Sequence, residues 1–202
     1  CLPMKRLRLK FAVSKAARII VPASFFGMIL GLVGLGSCWR VAAKLWHLPA
    51  WIGESIMLIG VAVWFVLLML YVSKWLWARE DALAEFEHPV VCCFIGLVPV
   101  STVLVATAIA PYAHAIAVAL FVVGAIGQLS FGVYRSGQFW RGGRKPESIT
   151  PVLYLPTVAG SFVSALSASA VGYREWGALF FGAGIFSWLA LESIIIQRLY
   201  ML

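Results

Sequence analysis

The sequence predicts an all-α, polytopic transmembrane protein. Apolar residues make up 62% of its 202 residues, whereas a soluble domain contains about 45–50%. Charged residues make up only 12%, about half of the usual share of roughly 25%. The apolar residues form uncharged runs of about 20, the length of a membrane-spanning helix, without the two-residue alternation of a barrel strand. The composition therefore excludes a disordered chain, a disulfide-stabilised scaffold and an ordinary soluble core.

Charged residues delimit six predicted spans, which follow a basic, cytoplasmic N-terminal segment at residues 1–18. The third and fourth spans share one uncharged run, which we divide at Pro111 because proline disrupts a continuing helix. Together the spans form a transmembrane domain at residues 19–202. The predicted spans cover residues 19–39, 55–73, 89–110, 115–134, 151–171 and 176–197.

Lysine and arginine are divided unequally between the two sides of the predicted membrane. Thirteen lie in the N-terminal segment and after spans 2, 4 and 6, whereas only Arg40, Lys44 and Arg174 lie on the other side. Cytoplasmic loops are enriched in these residues, so we predict a multi-pass plasma (bacterial inner) membrane protein with a cytoplasmic N-terminus. The net charge of +8 is therefore a topological signal, and no nucleic-acid partner is expected.

The odd-numbered and even-numbered spans differ in composition. Spans 1, 3 and 5 contain prolines and many small or hydroxyl-bearing residues, and spans 2, 4 and 6 are bulkier. Proline frees backbone carbonyls, which in lipid need a neighbouring donor or water. The contrast predicts three hairpins, with an inner ring of odd helices around a pathway and an outer ring of even helices. The alternative is tight packing without a pore, for which Gly27-x-x-x-Gly31 is a generic motif.

Several segments resemble the tellurite-resistance/dicarboxylate transporter (TehA) family. The similarity runs in order through roughly residues 20–200. The plant guard-cell slow anion channels and the fungal malate permeases belong to the same superfamily. The segments that carry the resemblance are Pro22–Gly31, Cys38–Arg40, Glu87–Val90, Leu153–Ala159 and Gly182–Glu192, which continues to Gln197–Leu199.

The resemblance implies ten helices, arranged as five hairpins around a central pore that a phenylalanine of the ninth helix closes. It also implies a homotrimer in a lipid bilayer, with small inorganic anions, C4-dicarboxylates or tellurite-type oxyanions as transported species. Neither an enzymatic activity nor a cofactor or metal is implied. Because the chain contains six of the ten expected helices, we interpret it as a fragment that is incomplete at its C-terminus.

The predicted odd spans contain no charged residue, so dipoles, hydroxyl groups and aromatic rings would have to line a pathway between them. Helix N-termini and unwound backbone amides favour anions. Phe26, beside the flexible Gly27, is the candidate for an aromatic constriction, and ordinary helix packing explains it equally well. The predicted pore-lining residues are Pro22, Phe26, Gly27, Pro99, Thr102, Pro156, Thr157 and Ser161.

Two charged residues are further candidates. Arg40, at the outer end of the first span, either attracts anions to the pore mouth or is a boundary charge. Glu192 is an acid within a span, which is costly in lipid and typical of functional positions. It serves either proton coupling or, as we favour, pairing with a neighbouring hairpin or a cytoplasmic arginine. The charged segment Arg79–Glu87 is interpreted as a solvated cytoplasmic loop.

The predicted function is that of an anion channel or transporter in the membrane. Alternatives are a proton-coupled dicarboxylate carrier of the same fold and a non-transporting membrane scaffold. A membrane enzyme would need a nucleophile with its base, or a metal cluster, at one depth. Ser187, His88 and Glu192 form no evident group of this kind, and the four cysteines lack metal-ligand spacing.

Overall fold

The structure, a computed structural model, describes residues 21–139 and 151–201. These residues are helical almost throughout and contain no strand, so the predicted all-α polytopic class is confirmed. Six of the described helical segments are long and apolar enough to cross a membrane. They are Ala23–Trp46, Ala50–Trp77, Val91–Ile109, His114–Gly137, Pro151–Ala170 and Arg174–Gln197.

Seven regular α-helices form the described chain, and we number them in order. Helix α3 is a short segment between the second and third spans, and the other six belong to the spans. The predicted N-terminal segment and the start of the first span at residue 19 lie outside the described residues. The helices are α1 Gly27–Trp46, α2 Ala50–Trp77, α3 Arg79–Glu87, α4 Leu97–Ile109, α5 His114–Phe139, α6 Gly160–Ala170 and α7 Arg174–Met201.

The second span is longer than the uncharged run that predicted it. Helix α2 includes both Glu54 and Lys74, the two charges that delimited that run. Glu54 pairs with Arg40, and Lys74 pairs with Glu85. Both charges are tolerated within the helix because each has a partner of opposite sign. Charged residues alone are therefore poor markers of the ends of this helix.

Each odd span begins with an irregular turn, whereas the even spans are regular α-helices. The first and third spans begin with the 3-10 turns Ala23–Phe26 and Val91–Gly96. The fifth begins with a 3-10 turn at Pro151–Leu153 and a π turn at Leu155–Ala159. Prolines explain only part of this pattern, because Pro99 lies in the first turn of α4, where a missing N–H is tolerated.

The three hairpins pack side by side, with the third span between the first and the fifth. In an apolar 18-residue stretch of the third span, 72% of the residues are buried, and in the fifth span 50%. The corresponding shares in the even spans are 17% to 28%. The first span, at 22%, is as exposed as the even ones. Among the described residues, the third and fifth spans are therefore more buried than the even spans, and the division into inner and outer helices stays a prediction.

Close helix contacts depend on glycines other than those singled out in the sequence. A Cβ at Gly124 of α5 would lie 2.6 Å from Val103 Cγ2 and 2.9 Å from the Pro99 carbonyl oxygen. At Gly31, by contrast, no described heavy atom lies within 4 Å of that position, and at Gly27 the nearest is 3.9 Å away. Between the described helices, Gly27-x-x-x-Gly31 is therefore not a close-approach motif.

The segment predicted as a solvated loop is helix α3, and one of its acids is buried. The Glu85 side chain is 6% exposed and forms an ion pair with Lys74 of α2. Its Oε1 also accepts a hydrogen bond from the Ala23 N–H at 2.8 Å. Glu80 and Glu87 are exposed. The loop interpretation is wrong for Glu85, because this side chain connects α3 to the beginning of the first span.

Candidate functional site

The irregular turns of the three odd spans meet at one end of the bundle, on the side predicted to be cytoplasmic. The turn Val91–Gly96 contacts both Ala23–Phe26 and Leu155–Ala159, and we call these three segments the opening-turn cluster. A Cβ at Gly96 would lie 3.3 Å from the Pro156 Cα, so glycine allows this close approach. Because free N–H groups give helix N-termini a partial positive charge, the cluster concentrates dipoles that favour anions.

Side chains from neighbouring segments satisfy some of these amides. Glu85 accepts the Ala23 N–H, as described above, and His88 acts in the same way on the third span. The His88 Nδ1 accepts hydrogen bonds from the N–H groups of Val90 at 3.2 Å and Val91 at 3.1 Å. Among the described residues, no group of three His, Cys, Asp or Glu side chains is placed to hold a metal ion.

The predicted lining residues of the first span lie within the helix packing. Phe26 is 0% exposed, and its ring packs against that of Tyr71 in a T-shaped arrangement with a centroid distance of 5.7 Å. A Cβ at Gly27 would lie 3.9 Å from Leu97 Cδ1, and Pro22 is half-buried before the first turn. Phe26 therefore packs against a residue of its own hairpin, in keeping with the packing explanation. The role of Phe26 as a constriction stays a prediction.

In the third span, Pro99 and Thr102 both have local contacts. A Cβ at Gly127 of α5 would lie 3.1 Å from Pro99 Cβ, so the proline ring packs against the outer helix of its own hairpin. The Thr102 hydroxyl donates to the Val98 carbonyl at 2.9 Å. Since a hydroxyl has a single proton to donate, Thr102 has none left for an anion in this arrangement.

The three predicted residues of the fifth span come together. Pro156, Thr157 and Ser161 line a cleft of about 400 Å³ between α5 and α7. Ser161 donates to the Thr157 carbonyl at 2.6 Å. The Thr157 Oγ1 is buried and has no hydrogen-bond partner among the described residues. Of the three hydroxyl groups among the predicted pore-lining residues, that of Thr157 is therefore the one with a proton not donated to a described residue.

Gln128 is the residue of this cleft that the sequence reasoning missed. It lies in α5, is only 2% exposed and donates from Nε2 to the Pro156 carbonyl at 3.1 Å. The available signal was its residue type, because it is the one carboxamide in the predicted fourth span. A buried carboxamide in lipid requires hydrogen-bond partners.

Arg40 lies in a hydrogen-bonded network at the opposite end of the bundle. Its Nε and Nη2 donate to the two carboxylate oxygens of Glu54 at 2.7 and 2.6 Å. It also donates to the carbonyls of Thr107 and Ala108 at 3.1 Å, near the end of α4. Tyr112 donates to Glu54 at 2.6 Å, and this hydrogen bond raises the pKa of the Tyr112 hydroxyl. Arg40 thus connects the first three spans, and a pore-mouth role stays a prediction.

Replacing Arg40 with lysine is expected to lower the free energy of unfolding by about 1–2 kcal/mol, because lysine keeps the charge but cannot form the bidentate pair. Thermal unfolding in detergent would measure the difference. Lys44→Gln is the matched control, since Lys44 is an exposed basic residue on the same helix. Equal stability of the Arg40→Lys variant and the wild type would show that the bidentate pair with Glu54 contributes little to stability.

Glu192 has a partner that the sequence did not suggest. Tyr154, at the beginning of the fifth span, donates its hydroxyl proton to Glu192 Oε2. The acid therefore has a partner within its own hairpin. This contact supports a structural role for Glu192. Proton coupling through Glu192 stays a prediction.

Known proteins match most of this chain. The sequence profile of the SLAC1 family, described as voltage-dependent anion channel, matches residues 21–202. The chain is 35% identical over 180 residues to the tellurite resistance protein TehA homolog of Haemophilus influenzae, covering 89% of this chain and 55% of that protein. It is 28% identical over 193 residues to the S-type anion channel SLAH3 of Arabidopsis thaliana, covering 88% and 29%.

A third relative is the uncharacterized transporter MJ0576 of Methanocaldococcus jannaschii, at 25% identity over 156 residues, covering 69% of this chain and 44% of that protein. The chain thus spans about half, or less, of the length of the curated relatives that it matches. The family profile nevertheless covers all six membrane-length helices of the described residues. The chain belongs to the SLAC1/TehA family of membrane anion channels and transporters.

Proposed function

We propose that this chain contributes three hairpins to a pathway for small anions, with the odd spans on its inner side. The observation that carries the proposal is the contact between the three opening turns, whose helix N-termini lie together at one end of the bundle. Dipoles of this orientation favour negative charge without a fixed cation. The turns themselves contain no charged side chain, in keeping with a dipole-lined pathway.

The proposed substrates are small inorganic anions, C4-dicarboxylates and tellurite-type oxyanions. The names of the relatives support small anions and tellurite-type oxyanions, since one is a tellurite resistance protein homolog and another an S-type anion channel. The C4-dicarboxylates rest on the family resemblance alone. Assembly as a homotrimer in the bacterial inner membrane, with a cytoplasmic N-terminus, belongs to the same proposal. The charge distribution along the sequence supports the orientation.

Liposomes that contain the full-length protein are expected to show anion flux that empty liposomes lack. A chloride or nitrate gradient, read with an anion-sensitive dye, would measure this flux. A proton-coupled carrier predicts instead that flux follows an imposed pH gradient and that Glu192→Gln removes this dependence. A membrane scaffold predicts no flux, and that result would contradict the proposal.

Thr157 provides the sharpest test of the lining within the same assay. A polar thiol reagent is expected to block flux through Thr157→Cys, because its hydroxyl is the one predicted donor that lacks a partner among the described residues. Val123→Cys is the matched control, since Val123 is 66% exposed on the outer surface of α5. If the reagent affects neither variant, Thr157 does not line the pathway.

A further inference from the structure

We propose that Gln128 is a positioning residue that holds the π turn of the fifth span and so keeps the anion pathway open. The inference rests on the proposed function and adds a residue from a helix of the outer ring. Gln128 is among the largest fully buried side chains of the described residues, and its amide donates to the Pro156 carbonyl at 3.1 Å.

The π turn removes the hydrogen bond that the Pro156 carbonyl would accept in a regular helix. In a regular α-helix, the carbonyl of Pro156 would accept the N–H of Gly160. Here the Gly160 N–H bonds to the carbonyls of Leu155 and Thr157 instead. A carbonyl left without a donor in lipid is costly. The Gln128 amide donates a hydrogen bond to the Pro156 carbonyl from a different hairpin.

The backbone around Gln128 is shaped to admit it. A Cβ at Gly160 would lie 2.8 Å from Gln128 Cγ and 2.9 Å from Cδ, closer than side chains tolerate. A Cβ at Gly132 would lie 3.2 Å from the Pro156 carbonyl oxygen. Glycine at position 160 therefore leaves the space that the Gln128 side chain fills, and glycine at 132 lets α5 approach the turn.

The held turn is part of the proposed pathway. It contains Thr157 and ends two residues before Ser161, and it packs against the opening turn of the third span through Gly96. Releasing the Pro156 carbonyl would allow the turn to move relative to the third span. The separation of the two inner helices, and with it the position of the free Thr157 hydroxyl, thus depends on Gln128.

Gln128→Glu tests the hydrogen bond with a change of pH. A protonated carboxyl group still has one proton to donate to the Pro156 carbonyl, whereas a carboxylate has none and repels that oxygen. We expect the ratio of variant to wild-type flux in liposomes to be near one at a pH of about 5. The ratio is expected to fall by about tenfold towards a pH of about 9, as the buried acid ionises.

Two controls separate this effect from general damage. Leu129→Ala changes the adjacent residue, which is 46% exposed, and is expected to give a flux ratio that does not vary with pH. Gln128→Leu has no donor and is expected to reduce flux at every pH. Elution of each purified variant as a single species on gel filtration would show that it is folded.

A flux ratio for Gln128→Glu that is constant across this pH range would overturn the inference, provided that the wild type conducts. Absence of wild-type flux would overturn the proposed function itself. If Gln128→Glu conducts too little to measure, the rate of thiol modification of Thr157→Cys is compared with and without the Gln128→Glu substitution. A rate ratio that varies with pH supports the inference, and a constant ratio contradicts it.

Discussion

Replacing Glu85 with alanine is expected to lower the free energy of unfolding by about 3–5 kcal/mol, because it leaves a buried charge without its partner. The side chains of Lys74 and Glu85 are only 4% and 6% exposed. The Lys74 ammonium also lies 5.7 Å from the centre of the Tyr71 ring, which itself packs on Phe26. The substitution further removes the acceptor of the Ala23 N–H.

Unfolding in increasing concentrations of SDS, followed by tryptophan fluorescence, would measure this loss. Glu80→Ala, at an exposed position of the same helix, is the matched control and is expected to change stability by less than about 0.5 kcal/mol. The double variant Lys74→Met, Glu85→Leu removes both charges, so it should be more stable than Glu85→Ala alone. Equal stability of the Glu85→Ala and Glu80→Ala variants would contradict a buried ion pair.

Features that depend on composition and run length could be predicted from the sequence. The apolar runs gave the helical class and the six spans, because a bilayer sets the length of a spanning helix. Prolines in the odd spans indicated irregular backbone, and two of the three irregular starts include or directly follow one, Pro22 and Pro156. These properties need no knowledge of how the helices face each other.

Pairings between helices could not be predicted, since they depend on helix rotation and on partners distant in the chain. Arg40 and Glu54, or Lys74 and Glu85, look like boundary charges until the folded chain places them together. Two neighbouring phenylalanines show the same limit. Phe26 is 0% exposed, whereas Phe25 is 47% exposed, and composition alone does not distinguish them.

The second large expected effect concerns Gly124. The role of a glycine in helix packing depends on the atoms that it faces rather than on its spacing in the sequence. A Cβ at Gly124 would meet a side-chain atom of Val103 at 2.6 Å and two backbone atoms, the Pro99 oxygen at 2.9 Å and the Val103 nitrogen at 3.0 Å. Backbone atoms of a packed helix cannot rotate away, so α5 would have to separate from α4. Gly124→Ala is therefore expected to destabilise the protein by about 1–3 kcal/mol.

Gly182→Ala is the matched control for this substitution. Gly182 also lies in a membrane-length helix, but no described heavy atom lies within 4 Å of its Cβ position. Alanine there relieves the conformational cost of glycine in a helix and is expected to be neutral or to stabilise by up to about 1 kcal/mol. Because both variants add the same methyl group, their difference in SDS unfolding isolates the contact between α4 and α5. If the two variants were equally stable, the close approach at Gly124 would not contribute to the packing of α5 against α4.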